Sequence, residues 1–202
     1  MKVVPAIFPG LWVDSVQALT KETAAGLKAD SIAGSIRYLG SLTQTERDII
    51  LTAGLGLDVV TYSRSPGWAP SPGLGQSDGV TDLHHLSDAG IPTGVTVWID
   101  LEGCHGDEKG AADWVDERSG VLANAGYEVG VYVGYDQPLD GGLLYALPQV
   151  TRYWKSLSKV PEPTCGWSLI QLYKSVTIAG VWVDVDVIQY DYQSRVPTVL
   201  VA

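Results

Sequence analysis

Two short stretches of this chain place carboxylates and tryptophans at every second position. The first is Gly94-Val95-Thr96-Val97-Trp98-Ile99-Asp100-Leu101-Glu102, and the second is Val181-Trp182-Val183-Asp184-Val185-Asp186-Val187. In an extended strand, successive side chains point to opposite faces. Val95, Val97, Ile99 and Leu101 therefore share one face, and Thr96, Trp98, Asp100 and Glu102 the other. The second stretch repeats the arrangement, with Trp182, Asp184 and Asp186 opposite the valines. A third, Leu11-Trp12-Val13-Asp14, also ends on an acid. Carboxylates are costly to bury without a task. Beside indole rings they suit sugar chemistry, because one acid protonates a glycosidic oxygen while another stabilises the charge that develops at the sugar carbon. Trp98 and Trp182 would offer flat faces to the sugar rings, against the plainer reading of tryptophan as a large core filler.

The elements that must carry these side chains alternate along the chain. Strands are expected at Leu11–Asp14, Ile32–Tyr38, Leu57–Tyr62, Gly94–Leu101, Glu128–Val133, Val150–Lys155, Trp167–Tyr173 and Val181–Ile188. Helices fit Thr20–Ala29, a segment from Thr43 to Gly54, Gly79–Ala89, Ala111–Ala125 and Leu139–Leu147. Thr43 followed by Glu46 reads as a capping box. The gaps before Trp167 and Val181 are too short for a helical crossover between parallel strands. The expected fold class is thus α/β: a distorted, mostly parallel TIM-like barrel of five β/α units followed by three strands without helices. Its 202 residues form a single domain at the small end for such a barrel. In a barrel the polar faces point inward, and parallel order brings Asp100 and Glu102 to the C-terminal mouth, where barrel enzymes work. Asp14 and Asp184, on first and last strands, are expected to meet there. Ser63–Asp78, rich in Pro and Gly, reads as a rim loop.

Composition removes several alternatives. A formal charge of −10, with 13 Lys and Arg scattered through the chain, excludes a nucleic-acid binder. No apolar run is long enough to span a bilayer. Met1–Val13 is interrupted by Pro5 and Pro9 and lacks a small-residue cleavage site, so it reads as part of the fold rather than a signal peptide. The two cysteines, Cys104 and Cys165, are expected as free thiols. Asp100, Glu102 and His105 lack a metal-ligand spacing, so neither a metal nor any other cofactor is expected. A monomer is expected.

The ordered set of motifs resembles the glycoside hydrolase family 25 lysozymes and, more closely, their glycoside-hydrolase-like relatives of unknown function (family 1906). The matching pieces are Val13-Asp14-Ser15, Ile36-Arg37-Tyr38-Leu39-Gly40, Leu42-Thr43-Gln44-Thr45-Glu46, Ala53-Gly54-Leu55 and Val59-Val60-Thr61-Tyr62. They continue with Ile99-Asp100-Leu101-Glu102, Gly130-Val131-Tyr132, Ile170-Gln171-Leu172-Tyr173 and Val183-Asp184-Val185-Asp186. The resemblance implies Glu102 as general acid, and Asp100 as the carboxylate that stabilises the transition state or assists the substrate's acetamido group. It implies Asp14 and Asp184 as supporting acids. Tyr62, Tyr132, Gln171, Arg37 and Asp186, with Trp98 and Trp182, are the candidates for holding substrate. The sequence departs from the lysozymes at Arg37-Tyr38-Leu39-Gly40, where they carry an acidic motif, and lacks their His-Gln-Gly element.

Two functions stay open. One is a hydrolase of peptidoglycan or another amino-sugar polysaccharide, of the kind a phage lysis system brings to the bacterial cell wall without a signal peptide. The other is a non-catalytic glycan-binding or virion structural barrel. Arg37 discriminates between them. An Arg37–Glu102 ion pair would depress the pKa of the acid and spoil it as a proton donor.

Overall fold

The computed structural model describes every residue except Ser63, so the start of the predicted rim loop lies outside the described residues. The chain runs β1 (Lys2–Pro5), β2 (Gly10–Ser15), α1 (Lys21–Ala29), β3 (Gly34–Tyr38), α2 (Gln44–Thr52), β4 (Gly56–Val60) and α3 (Leu74–Ala89). It continues with β5 (Thr96–Leu101), α4 (Glu108–Asn124), β6 (Glu128–Val133), α5 (Gly141–Tyr145), β7 (Arg152–Lys155), β8 (Leu169–Ile178), β9 (Val181–Ile188) and β10 (Thr198–Val201).

Strands β2 to β9 close on themselves as an eight-stranded barrel. Neighbours from β2 round to β8 are parallel. Strand β9 runs antiparallel to both β8 and β2 and completes the ring. Five helices follow β2 to β6, and the last three barrel strands carry none. Two strands escaped the sequence reading: β1 and β10 pair antiparallel, and Leu200 of β10 bridges to Leu57 at the start of β4. Their short apolar runs lack alternation long enough to announce a strand. Ala6 and Val196 next to them, with Val199 of β10, close the lower end of the barrel.

Alternation produces two separate cores. Outward-facing Val13, Val59, Val97, Ile99, Val131 and Val183 pack beneath the helices. Inward-facing Trp12, Ile36, Val60, Trp98, Trp154 and Leu169 fill the barrel interior, with Val60 and Trp154 reaching up to the cavity at the mouth. Indoles fit there because small residues face them: a Cβ at Gly34 would overlap the ring of Trp12, and one at Gly130 the ring of Trp98.

Helix ends follow their caps. Thr20, Thr43, Asp107 and Asp140 each accept a backbone N–H from the first turn, satisfying donors that would otherwise go unpaired. The Thr43–Glu46 capping box is only half formed. Thr43 caps the Glu46 N–H, but the Glu46 carboxylate turns to the Leu19 N–H and the Arg37 guanidinium instead. Helix α3 begins five residues earlier than its polar, glycine-rich sequence suggests. Gly75 is tolerated because it packs against the α4 backbone at Trp114, where a side chain would collide.

Candidate active site

The mouth of the barrel holds a cavity of about 220 Å³, into which Asp14, Glu102 and Asp184 all project. Tyr38, Tyr132, Gln171, Ser156 and Lys174 complete much of its wall. Each acid arrives as the alternation requires. Asp14 lies at the top of β2, directly opposite Asp184 of β9 in the antiparallel register. Glu102 follows β5 immediately, on the inward side.

The segment at Glu102 is clamped from both sides. The Trp68 indole donates to the Glu102 carbonyl at 2.9 Å. Gly134 N–H bonds to Leu101, and Gly103 N–H bonds to the Tyr135 carbonyl. A Cβ at position 134 would overlap the Glu102 Cβ and lie 2.9 Å from Oε2. Only glycine fits there without displacing the acid. Burial raises the Glu102 pKa above the ordinary glutamate value.

Asp14, Asp184 and Asp186 form a connected group. Gln171 donates to Asp184 Oδ2 at 2.8 Å, and Ser175 N–H donates to Oδ1 at 2.7 Å. Ser175 sits at an irregularity of β8 with φ of 56°, a local kink that aims its N–H at the acid. Beneath them, Asp186 is fully buried and accepts the Trp154 indole N–H at 2.9 Å. The remaining oxygens, Asp14 Oδ2 and Asp186 Oδ2, are buried without a donor among the described residues. The two carboxyls lie within hydrogen-bonding reach of each other. Burial and the Asp14 charge keep Asp186 protonated well above the usual carboxylate range. Burial, then the charge of Asp184, pushes Asp14 up to about 7.

The other candidates are distributed unequally. Asp100 is 3% exposed and, unlike the other three acids expected at the mouth, is not among the residues that line the cavity; its N–H bonds to the Thr61 hydroxyl. Trp98 is entirely buried in the lower barrel and offers no face to a ligand. Tyr62 packs against Tyr38 with ring centroids 5.6 Å apart and lines a neighbouring hollow. Trp182 is 68% exposed at the rim. Arg37 faces the helix layer, fully buried, with Nε 2.6 Å from Glu46 Oε1. It does not pair with Glu102. His105 pairs with Asp136 on the surface, and both cysteines are free and buried.

Sequence reasoning passed over Asp58. This carboxyl is buried in the lower barrel, accepts the Trp98 indole N–H at 2.7 Å, and is held protonated by burial. The signal was an acid in the inward register of an otherwise apolar strand. Lys174 and Ser156 were also missed, because they reach the mouth through the irregular upper ends of β8 and β7.

The model of the family described as Rv2525c-like, glycoside hydrolase-like domain matches residues 25–193. No curated protein sequence matches the chain. Solved structures share the fold at low identity. An uncharacterized protein of B. stearothermophilus superposes with a TM-score of 0.71 at 16% identity, over 89% of this chain and 95% of that one. The Tat-secreted protein Rv2525c of Mycobacterium tuberculosis, in complex with L-tartrate, gives 0.66 at 16% identity over the same shares. The modular autolysin LytC of Streptococcus pneumoniae, in complex with a synthetic peptidoglycan ligand, gives 0.67 at 13% identity, over 90% of this chain and 47% of that one.

Proposed function

The chain belongs to the Rv2525c-like, glycoside hydrolase-like domain family, and on that premise we propose that it hydrolyses glycosidic bonds in peptidoglycan or another amino-sugar polysaccharide. The observation that carries this reading is the state of Glu102. It stands in the wall of an open cavity with its pKa raised, while Arg37 is committed to Glu46 on the outer side of β3. A proton donor needs that environment. The LytC autolysin, which shares the fold, holds a peptidoglycan ligand, and the acids and tyrosines of this cavity suit a polyhydroxylated chain.

In the proposed reaction Glu102 gives its proton to the glycosidic oxygen as the bond to the anomeric carbon breaks. The leaving sugar departs as an alcohol. Asp100 stabilises the positive charge at the anomeric carbon or orients the substrate's acetamido group to do so. Water then adds to that carbon, and its proton returns to Glu102. Asp14 and Asp184 support the same centre from the opposite wall, and the Tyr38 and Tyr132 hydroxyls, whose pKa values are raised by burial, serve as hydrogen-bond donors.

Incubation with defined peptidoglycan and chitin fragments, followed by mass spectrometry, tests this reading. Glu102→Gln keeps the shape and removes the acid, and should lower turnover by roughly 10²–10⁴-fold. Cleavage at the wild-type level in that variant removes Glu102 from the mechanism. Glycan binding without cleavage by the wild type moves the conclusion to a glycan-binding barrel.

A further inference from the structure

A second hollow, of about 180 Å³, opens on the far side of the acid pair. Asp14, Tyr38 and Asp184 form the partition between it and the main cavity, since all three line both. The rest of its wall comes from Ser15, Val16, Ser175, Trp182 and Val183. We propose that this hollow is a second sugar subsite, in which Trp182 stacks on the unit adjacent to the one seated beside Glu102. The inference rests on the glycan reading of the main cavity and deepens it. It makes the ligand a chain of several sugar units running across the β2–β9 seam.

Three features make the hollow a platform rather than loose surface. First, the Trp182 backbone is tied on both sides. Its carbonyl accepts the Ser15 hydroxyl at 2.7 Å, and its N–H donates to Gln17 Oε1 at 3.2 Å. The Gln17 N–H in turn bonds to the Ser15 hydroxyl. The end of β9 that carries the indole is therefore fixed to the loop after β2. Second, an indole 68% exposed has not been used as core. A flat apolar face beside hydroxyls and carboxylates matches a sugar ring, which presents C–H groups on its faces and hydroxyls at its edge. Third, the kink of β8 at Ser175 turns its N–H to Asp184, which keeps that carboxylate on the partition between the two hollows.

The test uses the full chain and two probes, N-acetylglucosamine itself and its pentasaccharide, with affinity read by calorimetry and the environment of Trp182 by intrinsic fluorescence. Trp182→Ala should weaken the pentasaccharide about tenfold, the scale of one lost aromatic contact. It should leave the monosaccharide unchanged, and Trp182→Phe should recover most of the loss. Equal pentasaccharide affinity in Trp182→Ala and wild type overturns the subsite, as does an equal loss for both probes or failure of the wild type to bind either. If the wild type binds through Trp182 but cleaves nothing, the subsite stands and the hydrolase reading falls. If it cleaves and Trp182→Ala changes neither affinity nor KM for long chains, the hydrolase reading stands and the subsite falls.

Discussion

Strands β5 and β9 carry nearly the same pattern, a tryptophan followed by two acids on the inward face, and meet opposite fates. On β5 the tryptophan comes first at the bottom of the barrel, so Trp98 is 0% exposed and the acids climb to the mouth at Glu102. Strand β9 runs the other way. Its tryptophan lies at the rim, 68% exposed, and its last acid, Asp186, lies at depth beside the Trp154 indole. The contrast separates two kinds of information. Alternation decides which face a side chain takes, and strand direction decides its depth. Depth in turn decides whether an indole is core or platform, and whether a carboxyl faces solvent or keeps a proton.

The largest expected effect tests the buried arm of that comparison. Trp98→Phe removes the indole N–H that Asp58 accepts and leaves space against Trp154, with ring centroids now 5.9 Å apart. It should cost about 2–4 kcal/mol of stability in urea unfolding, the scale of a trimmed core side chain plus an orphaned buried polar group. A loss within error of zero would remove Trp98 from the structural core.

Acid depth predicts a pH dependence. The folded chain holds a proton on Asp14 up to about 7, whereas an ordinary aspartate releases it near 3.8. Between those values the folded state binds more protons than the unfolded state, so stability falls as pH rises through the window. The share of this one group is on the order of a few kcal/mol. Denaturation at a series of pH values should show that decline, and Asp14→Asn should flatten it. An undiminished slope in the variant would assign the titration to Asp186 or Asp58, the deeper carboxyls.

A smaller effect concerns how β5 presents its acid. Gly134→Ala forces a methyl group onto Glu102 and should lower kcat by about 10–10²-fold, as expected for a misplaced catalytic group. The pH profile distinguishes displacement of the acid from general loosening, because only displacement moves the limb assigned to Glu102. An unchanged profile with unchanged kcat would show that the wall yields freely.

The smallest effect belongs to the exposed arm. Trp182→Phe should change stability by no more than about 0.5 kcal/mol, as for other surface positions. A loss comparable to that of Trp98→Phe would erase the distinction between the two strands.

Much of this fold was legible because local rules and the global fold agree. Asp14, Glu102 and Asp184 could be assigned to one inward face by counting residues, and helix-sized gaps between the early strands implied five crossovers. The fate of Arg37 was not legible. It stands in the outward register of β3, beside inward-facing Ile36 and turned away from Glu102, but that it meets Glu46 there depends on how α2 docks. The capping pattern at Thr43 drew attention to the helix end and hid the second use of Glu46. Tyr62 lies two residues past the end of β4, where Glu102 lies one past that of β5, and its ring turns away to a neighbouring hollow. The alternation carries Glu102, one residue past its ladder, but does not reach as far as Tyr62.

The sequence by itself determined the faces of the strands, because alternation is a consequence of backbone geometry that no distant contact alters. It also determined that small residues would stand among large indoles. Only the tertiary structure decided which glycine meets which ring, Gly34 with Trp12, Gly130 with Trp98, and Gly134 with Glu102. It alone reversed β9, which put Trp182 at the rim and Asp186 at depth. Those outcomes depend on distances between segments far apart in the chain, where packing and desolvation act and no local propensity reaches.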